Sequence, residues 1–164
     1  MSSPNSDPDT YLLATASHDL TAQLTRISFV HDSSQSAVPL ATLHLHTGPV
    51  SSVSSDVSGS HLLTSSWDGL IGLWDVVIPS SDEVPLDQVE AEERRKRRKV
   101  DNESKRPRRK APVSVLKSHT ARVSKVIFGN EQSNAKTAYS CGFDSTLRTW
   151  DVEKCICTST IVRK

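Results

Sequence analysis

Short apolar stretches alternate with turn residues along most of the chain, in the period-two pattern of half-buried strands. Residues 11–17 and 22–30 flank a turn at His18 and Asp19. A Ser/Asp/Gln loop leads into a strand over 39–45. His46-Thr47-Gly48-Pro49 then turns the chain into a Ser/Val-rich strand that runs to Val57. Residues 61–66 and 70–74 enclose Asp68-Gly69, a strong hairpin signal. The pattern stops after Asp75. It resumes over 113–117, 123–128, 136–141, 146–150 and 155–162. No helix is expected outside the interruption, where 85–100 places Glu ahead of Arg and Lys at helical i,i+4 spacing.

The strand pairs repeat. LLTSSWDGLIGLWDV (62–76) and AYSCGFDSTLRTWDV (138–152) align, and LLATASHDLTAQLTRI (12–27) is a worn copy. Trp74 and Trp150 lie six residues after Asp68 and Asp144. A hydroxyl, Thr15, Thr64 or Ser140, lies four residues before each turn Asp. His46 and His119 lie 22 and 25 residues before theirs, each followed at +4 by Val50 or Val123. A buried indole needs a partner for its N–H. A hydroxyl on the next strand supplies one, and a loop His can bridge that hydroxyl to the turn Asp. Such a relay locks loop to sheet, each bond contributing about 0.5–1.5 kcal/mol net.

His46, Thr64, Asp68, Trp74 and His119, Ser140, Asp144, Trp150 resemble the tetrads of the WD-repeat family. The resemblance implies an all-β fold, a WD-repeat β-propeller of four-stranded blades. The chain would supply about three blades of seven. Residues 1–10 are expected to be a disordered N-terminus. Residues 11–78 would hold the last three strands of a degenerate first blade, with Thr25-Arg26 where Trp-Asp belongs, and the start of a second. A basic low-complexity insert over 79–112 follows, and 113–164 would complete the second blade and form the third. Terminal repeats need covering, so the chain is expected to be a fragment or a truncated product.

Charge adds a second theme. Formal net charge is +1, but residues 94–110 hold eleven Lys/Arg against two acidic residues, a net +9. The other nine Lys/Arg face seventeen acidic residues, a net −8. The basic residues are Arg94, Arg95, Lys96, Arg97, Arg98, Lys99, Lys105, Arg106, Arg108, Arg109 and Lys110. Two such clusters read as a nuclear localisation signal for an import receptor. Direct RNA contact and a plain solvated loop are the alternatives. No aromatic residue is interleaved, so base stacking is not indicated. The N-terminus has no signal-peptide pattern and no apolar run spans a bilayer, so a soluble intracellular protein with no membrane partner is expected.

Candidate chemistry is sparse. Cys141, Cys155 and Cys157 match no zinc or redox spacing, and buried or reduced thiols are expected. His44-x-His46 lacks a third ligand at metal spacing. There is no Gly-rich phosphate loop. The sequence therefore points to no catalytic residue, no metal, no cofactor and no enzyme. His18, Trp67 and Phe143 each precede a turn Asp. The family resemblance puts that position on one face and often in contact with partners; shielding of neighbouring loops is the alternative.

ASHDLTAQLTR, LLTSSWDGLIGLWD, KRRKV, VLKSHTARVSKVIFG and AYSCGFDSTLRTWDVE are similar to a narrower family. These are the ribosome-biogenesis WD-repeat proteins that join pescadillo and the block-of-proliferation protein, the WD repeat-containing protein 12 family. The resemblance implies a non-catalytic scaffold of the nucleolus and nucleoplasm, supporting maturation of large-subunit (60S) rRNA and 5.8S rRNA on precursor particles. Its implied partners are a block-of-proliferation-type WD protein and a pescadillo-type protein. Release by an AAA ATPase would use a ubiquitin-like domain that these residues do not contain. The competing reading is another nuclear WD-repeat module, a chromatin reader or a ubiquitin-ligase substrate receptor.

Overall fold

The structure, a computed structural model, describes residues 10–29, 35–76, 108–129 and 137–163. Among the described residues there are twelve strands and no helix. They are β1 Thr10–Ala16, β2 Thr21–Phe29, β3 Gln35–His44, β4 Val50–Ser55, β5 His61–Ser66, β6 Leu70–Asp75, β7 Arg108–Lys110, β8 Ser114–Lys117, β9 Val123–Phe128, β10 Thr137–Gly142, β11 Thr146–Asp151 and β12 Ile156–Val162. They form three four-stranded sheets, ordered β1-β2-β3-β7, β4-β5-β6-β8 and β9-β10-β11-β12. All neighbours are antiparallel except β3 and β7. The expected N-terminal disorder of 1–10 and helix of 85–100 lie outside the described residues, apart from Thr10 in β1.

Alternation decides how the sheets stack. Ala22, Leu24, Ala41 and Leu43 of the first sheet close on Val50, Leu62 and Trp74 of the second. Leu63, Ile71, Leu73 and Leu116 come from the opposite face of the second sheet. They close on Val123, Val126, Ala138 and Trp150 of the third. Each Trp thus faces the preceding sheet. In the worn first copy Thr25 takes the Trp position, alternating with Leu24, which faces the second sheet.

The Ser-rich β4 does more than fill space. β4 and β9 are edge strands of neighbouring sheets and lie side by side. The backbone N–H of Val126 donates to Ser52 Oγ (3.0 Å) and that of Phe128 to Ser54 Oγ (3.3 Å). Ser51 Oγ donates to the carbonyl of Val123 (2.7 Å). Hydroxyls therefore stand in for a missing ladder partner along β9. Buried edge amides need such partners, because an unpaired one costs about 1–3 kcal/mol.

β7 corrects the boundary of the insert. Residues 108–110 fall in the stretch expected to be low-complexity. They instead run parallel to β3, pairing Ala41 with Arg108, Thr42 with Arg109 and Leu43 with Lys110. Lys110 is only 5% exposed. A fully extended triplet with free backbone groups can satisfy them on the outer edge of β3, which has no other partner among the described residues. The first sheet therefore has four strands, one of them borrowed from the insert.

The three hairpin turns share one backbone device. Leu20, Gly69 and Ser145 each follow the turn Asp and adopt positive φ, at 74°, 84° and 58°. Gly takes this conformation freely. A non-Gly side chain there costs about 1–2 kcal/mol.

Candidate functional site: two buried relays and an exposed turn face

β5 and β6 hold Thr64 and Trp74 side by side, and Trp74 Nε1–H donates to Thr64 Oγ1 at 2.9 Å. His46, in the loop before β4, places Nε2 2.9 Å from the same oxygen and Nδ1 3.1 Å from Asp68 Oδ2. Asp68 is fixed from both sides: Oδ2 accepts from the amide of Thr47 (3.0 Å) and Oδ1 from that of Leu70 (2.9 Å). A carboxylate only accepts, so the His46 proton sits on Nδ1 and Nε2 accepts from Thr64. Burial lowers the affinity of His46 for a second proton, opposed by the Asp68 charge and hydrogen bond. The ring is therefore neutral.

The third sheet repeats the arrangement. His119 Nδ1 lies 2.8 Å from Asp144 Oδ2, and Nε2 lies 2.7 Å from Ser140 Oγ, which accepts from Trp150 Nε1–H at 2.8 Å. Burial alone would raise the Asp144 pKa. Hydrogen bonds from Thr146, His119 and the Thr120 amide outweigh it and hold the carboxyl well below the usual carboxylate range. Gly72 makes room for the first relay. A Cβ there would come within 2.8 Å of Trp74 Nε1 and Leu45 Cδ2 and 2.9 Å of Thr64 Oγ1. Arg148 occupies the matching position in the third sheet, bonding Ser118 and Thr146 and lying 3.8 Å from Asp144. The first copy has no such relay among the described residues: the Asp19 carboxylate turns to the amide and hydroxyl of Thr21 (3.0 and 2.7 Å).

By connectivity each relay is an Asp–His–hydroxyl chain of the kind that activates a nucleophile. Here Thr64 and Ser140 are buried, and each hydroxyl oxygen already accepts an indole N–H. No face of either oxygen is open to a substrate. A second Ser–His–Asp cluster lies in the β4–β5 turn. Asp56 accepts from the His61 amide (3.1 Å), Ser58 Oγ (2.8 Å) and Ser60 Oγ (3.0 Å). Burial pushes its carboxyl up, but bonds from the His61 amide, Ser58, the His61 ring and Ser60 prevail, and it falls to about 2. Ser60 and Asp56 both address Nδ1 of His61, whereas a catalytic relay uses opposite ring nitrogens. This cluster ties a turn.

Two of the three residues ahead of a turn Asp meet, and Arg122 links the third to them. The His18 ring packs edge-on to Trp67, centroids 5.4 Å apart. The Arg122 guanidinium lies 4.5 Å over the Trp67 ring. Trp67 is 39% exposed, so much of it is covered by its own neighbours. Phe143 is 71% exposed, and its amide donates to the Arg122 carbonyl (2.8 Å).

The WD domain, G-beta repeat family matches residues 37–75 and 110–151, the two stretches that carry the relays. The chain belongs to the WD-repeat family. It is 53% identical over 152 residues to the ribosome biogenesis protein YTM1 of Laccaria bicolor, covering 92% of this chain and 33% of that protein. The YTM1 of Coprinopsis cinerea is 54% identical over 165 residues, covering 96% and 36%. That of Saccharomyces cerevisiae is 38% identical over 129 residues, covering 74% and 27%. The chain thus spans about a third of the length of these curated relatives. The crystal structure of the C-terminal WD40 domain of Sif2 superposes with a TM-score of 0.63 at 15% identity, over 93% of this chain and 34% of that one. That likeness speaks to the fold alone.

Within this WD-repeat chain the other sequence candidates separate clearly. Arg94, Arg95, Lys96, Arg97, Arg98, Lys99, Lys105 and Arg106 lie outside the described residues. Arg108, Arg109 and Lys110 belong to β7, and the burial of Lys110 removes it from the set of freely presented basic residues. His44 titrates below the ordinary histidine value through burial and the nearby Arg109 charge. Both nitrogens of His46 are already engaged, and no group of metal-ligating side chains forms among the described residues. The three cysteines are free, Cys141 exposed and Cys155 and Cys157 half-buried, so of the expected buried or reduced thiols it is the reduced form that the structure holds. Sequence reading passed over Arg122, Asp56 and the β4 serines. The matching His-x-x-Arg/Pro-Val frames and the D-x-S-G-S-H string were the available signals.

Proposed function

We propose that the chain is a non-catalytic scaffold in maturation of the large ribosomal subunit, working through protein contacts of its WD blades in the nucleolus and nucleoplasm. The observation that carries this reading is identity above one half to two YTM1 proteins over more than nine-tenths of the chain. The geometry supports it, since both Asp–His–hydroxyl relays are spent on holding loops to sheets. Its partners are a block-of-proliferation-type WD protein and a pescadillo-type protein, met through the turn face that bears His18, Trp67 and Phe143. The basic residues between 94 and 106 deliver it to the nucleus through an import receptor; RNA contact by the same residues is a secondary role. Affinity purification of the tagged chain from nuclear extract tests the reading. Large-subunit precursors and a pescadillo-type protein are expected. Recovery of histones or a cullin ligase in their place overturns it.

A further inference from the structure

On the turn face the carboxylates are largely engaged, and the exposed guanidinium of Arg122 is not. Both oxygens of Asp68 and of Asp144 are engaged around their relays, and Asp19 uses Oδ1 for Thr21. Arg122 is different. Its guanidinium is laid over Trp67 and forms no ion pair with a described carboxylate. Arg122 is exposed, and a guanidinium held over a ring by its charge can still offer N–H donors outward, in the fork that grips a carboxylate with two parallel bonds. Stacking also removes rotamer freedom before any ligand arrives. Phe143 stands beside it, tied to the Arg122 carbonyl through its amide and mostly exposed. Arg163 follows: its amide donates to the carbonyl of Ser145 (3.0 Å), in the turn that carries Phe143. Backbone bonds thus bring Phe143 beside Arg122 and Arg163 beside the Phe143 turn, with Trp67 under Arg122.

We infer that this strip docks an acidic peptide segment of a partner protein, in which carboxylates alternate with apolar side chains. A carboxylate meets the edge of Arg122, the neighbouring apolar side chain covers Phe143, and a second carboxylate reaches Arg163. The inference rests on the reading of this face as a protein-binding surface and adds the chemistry of what binds. A single-stranded nucleic acid fits less well, because base stacking needs open aromatic faces in succession. Arg122 lies over the Trp67 ring and the His18 edge packs against it, which leaves Phe143.

The test uses the 164-residue chain and fluorescein-labelled synthetic probes, read by fluorescence anisotropy at two salt concentrations. The probes are a short peptide of alternating Glu and Phe/Leu, its Gln counterpart, and an oligo(U). Binding of the Glu peptide, weakened by salt, is expected to fall about tenfold or more in Arg122→Gln and in Phe143→Ala. Arg122→Lys, which keeps the charge and loses the planar fork, is expected to lose most of that affinity. Unchanged melting of each variant shows that the fold is intact. Equal affinity for the Glu and Gln peptides, tighter binding of oligo(U), or no binding of the Glu peptide overturns the inference. Loss in Phe143→Ala with none in Arg122→Gln overturns the acidic chemistry yet leaves the protein-binding face standing. No loss in any variant removes both.

Discussion

At the scale of single residues, Thr64 and Ser140 matter because each satisfies two buried groups at once. Thr64→Val keeps the shape but leaves Trp74 Nε1–H and His46 Nε2 without partners. At about 1–3 kcal/mol per orphaned group, the expected loss is about 2–6 kcal/mol, measured by urea unfolding; a loss below about 0.5 kcal/mol would mean the relay does not hold the loop. Gly72→Ala is expected to cost about 1–3 kcal/mol by crowding that relay. The first relay and the β4–β5 turn also set the acid response. The folded His46 pKa lies below its unfolded 6.5, so its contribution is intact above 6.5 and declines as pH falls below it. Asp56, depressed from 3.8 to about 2, contributes above 3.8 and is lost as pH falls through about 2. The melting temperature should therefore fall first below 6.5 and again below 3.8. A curve flat between pH 6.5 and pH 3.8 contradicts the neutral, buried His46.

At the scale of elements, the turns and strand edges carry the predictions. Gly69→Ala is expected to cost about 1–2 kcal/mol through its left-handed φ alone, since a Cβ there meets only ordinary contacts. Ser52→Ala leaves the Val126 amide facing β4 without an acceptor and is expected to cost about 1–3 kcal/mol. A Ser52→Thr variant, which keeps the hydroxyl, is the control. The basic insert divides at Arg108. Deleting 94–106 should leave the protein in the cytoplasm with unchanged melting. Replacing Arg108–Lys110 by Gly should lower melting and leave nuclear accumulation in place, as fluorescence microscopy of tagged chains would read. These elements also mark what the sequence made legible. The hairpins around Asp68 and Asp144, their Trp and their His stand at fixed offsets, so local spacing alone exposes them. β7 has no such mark: a run of Arg and Lys is read by charge, and only the open edge of β3, remote in sequence, makes it a strand. Ser52 and Ser54 were legible as strand residues, but their bonds run 74 residues along the chain to β9.

At the scale of the whole molecule, the two relays and two apolar seams make each sheet depend on the next. The outward face of the third sheet shows the same logic left open. Tyr139, Leu147 and Ile161 stand where Leu63, Ile71 and Leu116 stand in the second sheet, and all three are exposed. Expressed as these 164 residues, the chain is expected to self-associate through such faces. Light scattering reads this directly, and a monodisperse monomer would contradict it. Arg122 was invisible to repeat spacing for a related reason. Its role comes from Trp67, which belongs to the neighbouring blade.

The strand borrowed by the first sheet has a consequence in time. β3 ends at His44, and its outer partner begins at Arg108, 64 residues later. At about 5–20 residues per second of synthesis, that interval lasts roughly 3–13 s. Throughout it the nascent first sheet carries an open outer edge, able to pair with any extended chain nearby. The birth of the molecule therefore contains a defined interval when a chaperone has a strand to guard, and Arg108–Lys110 end it.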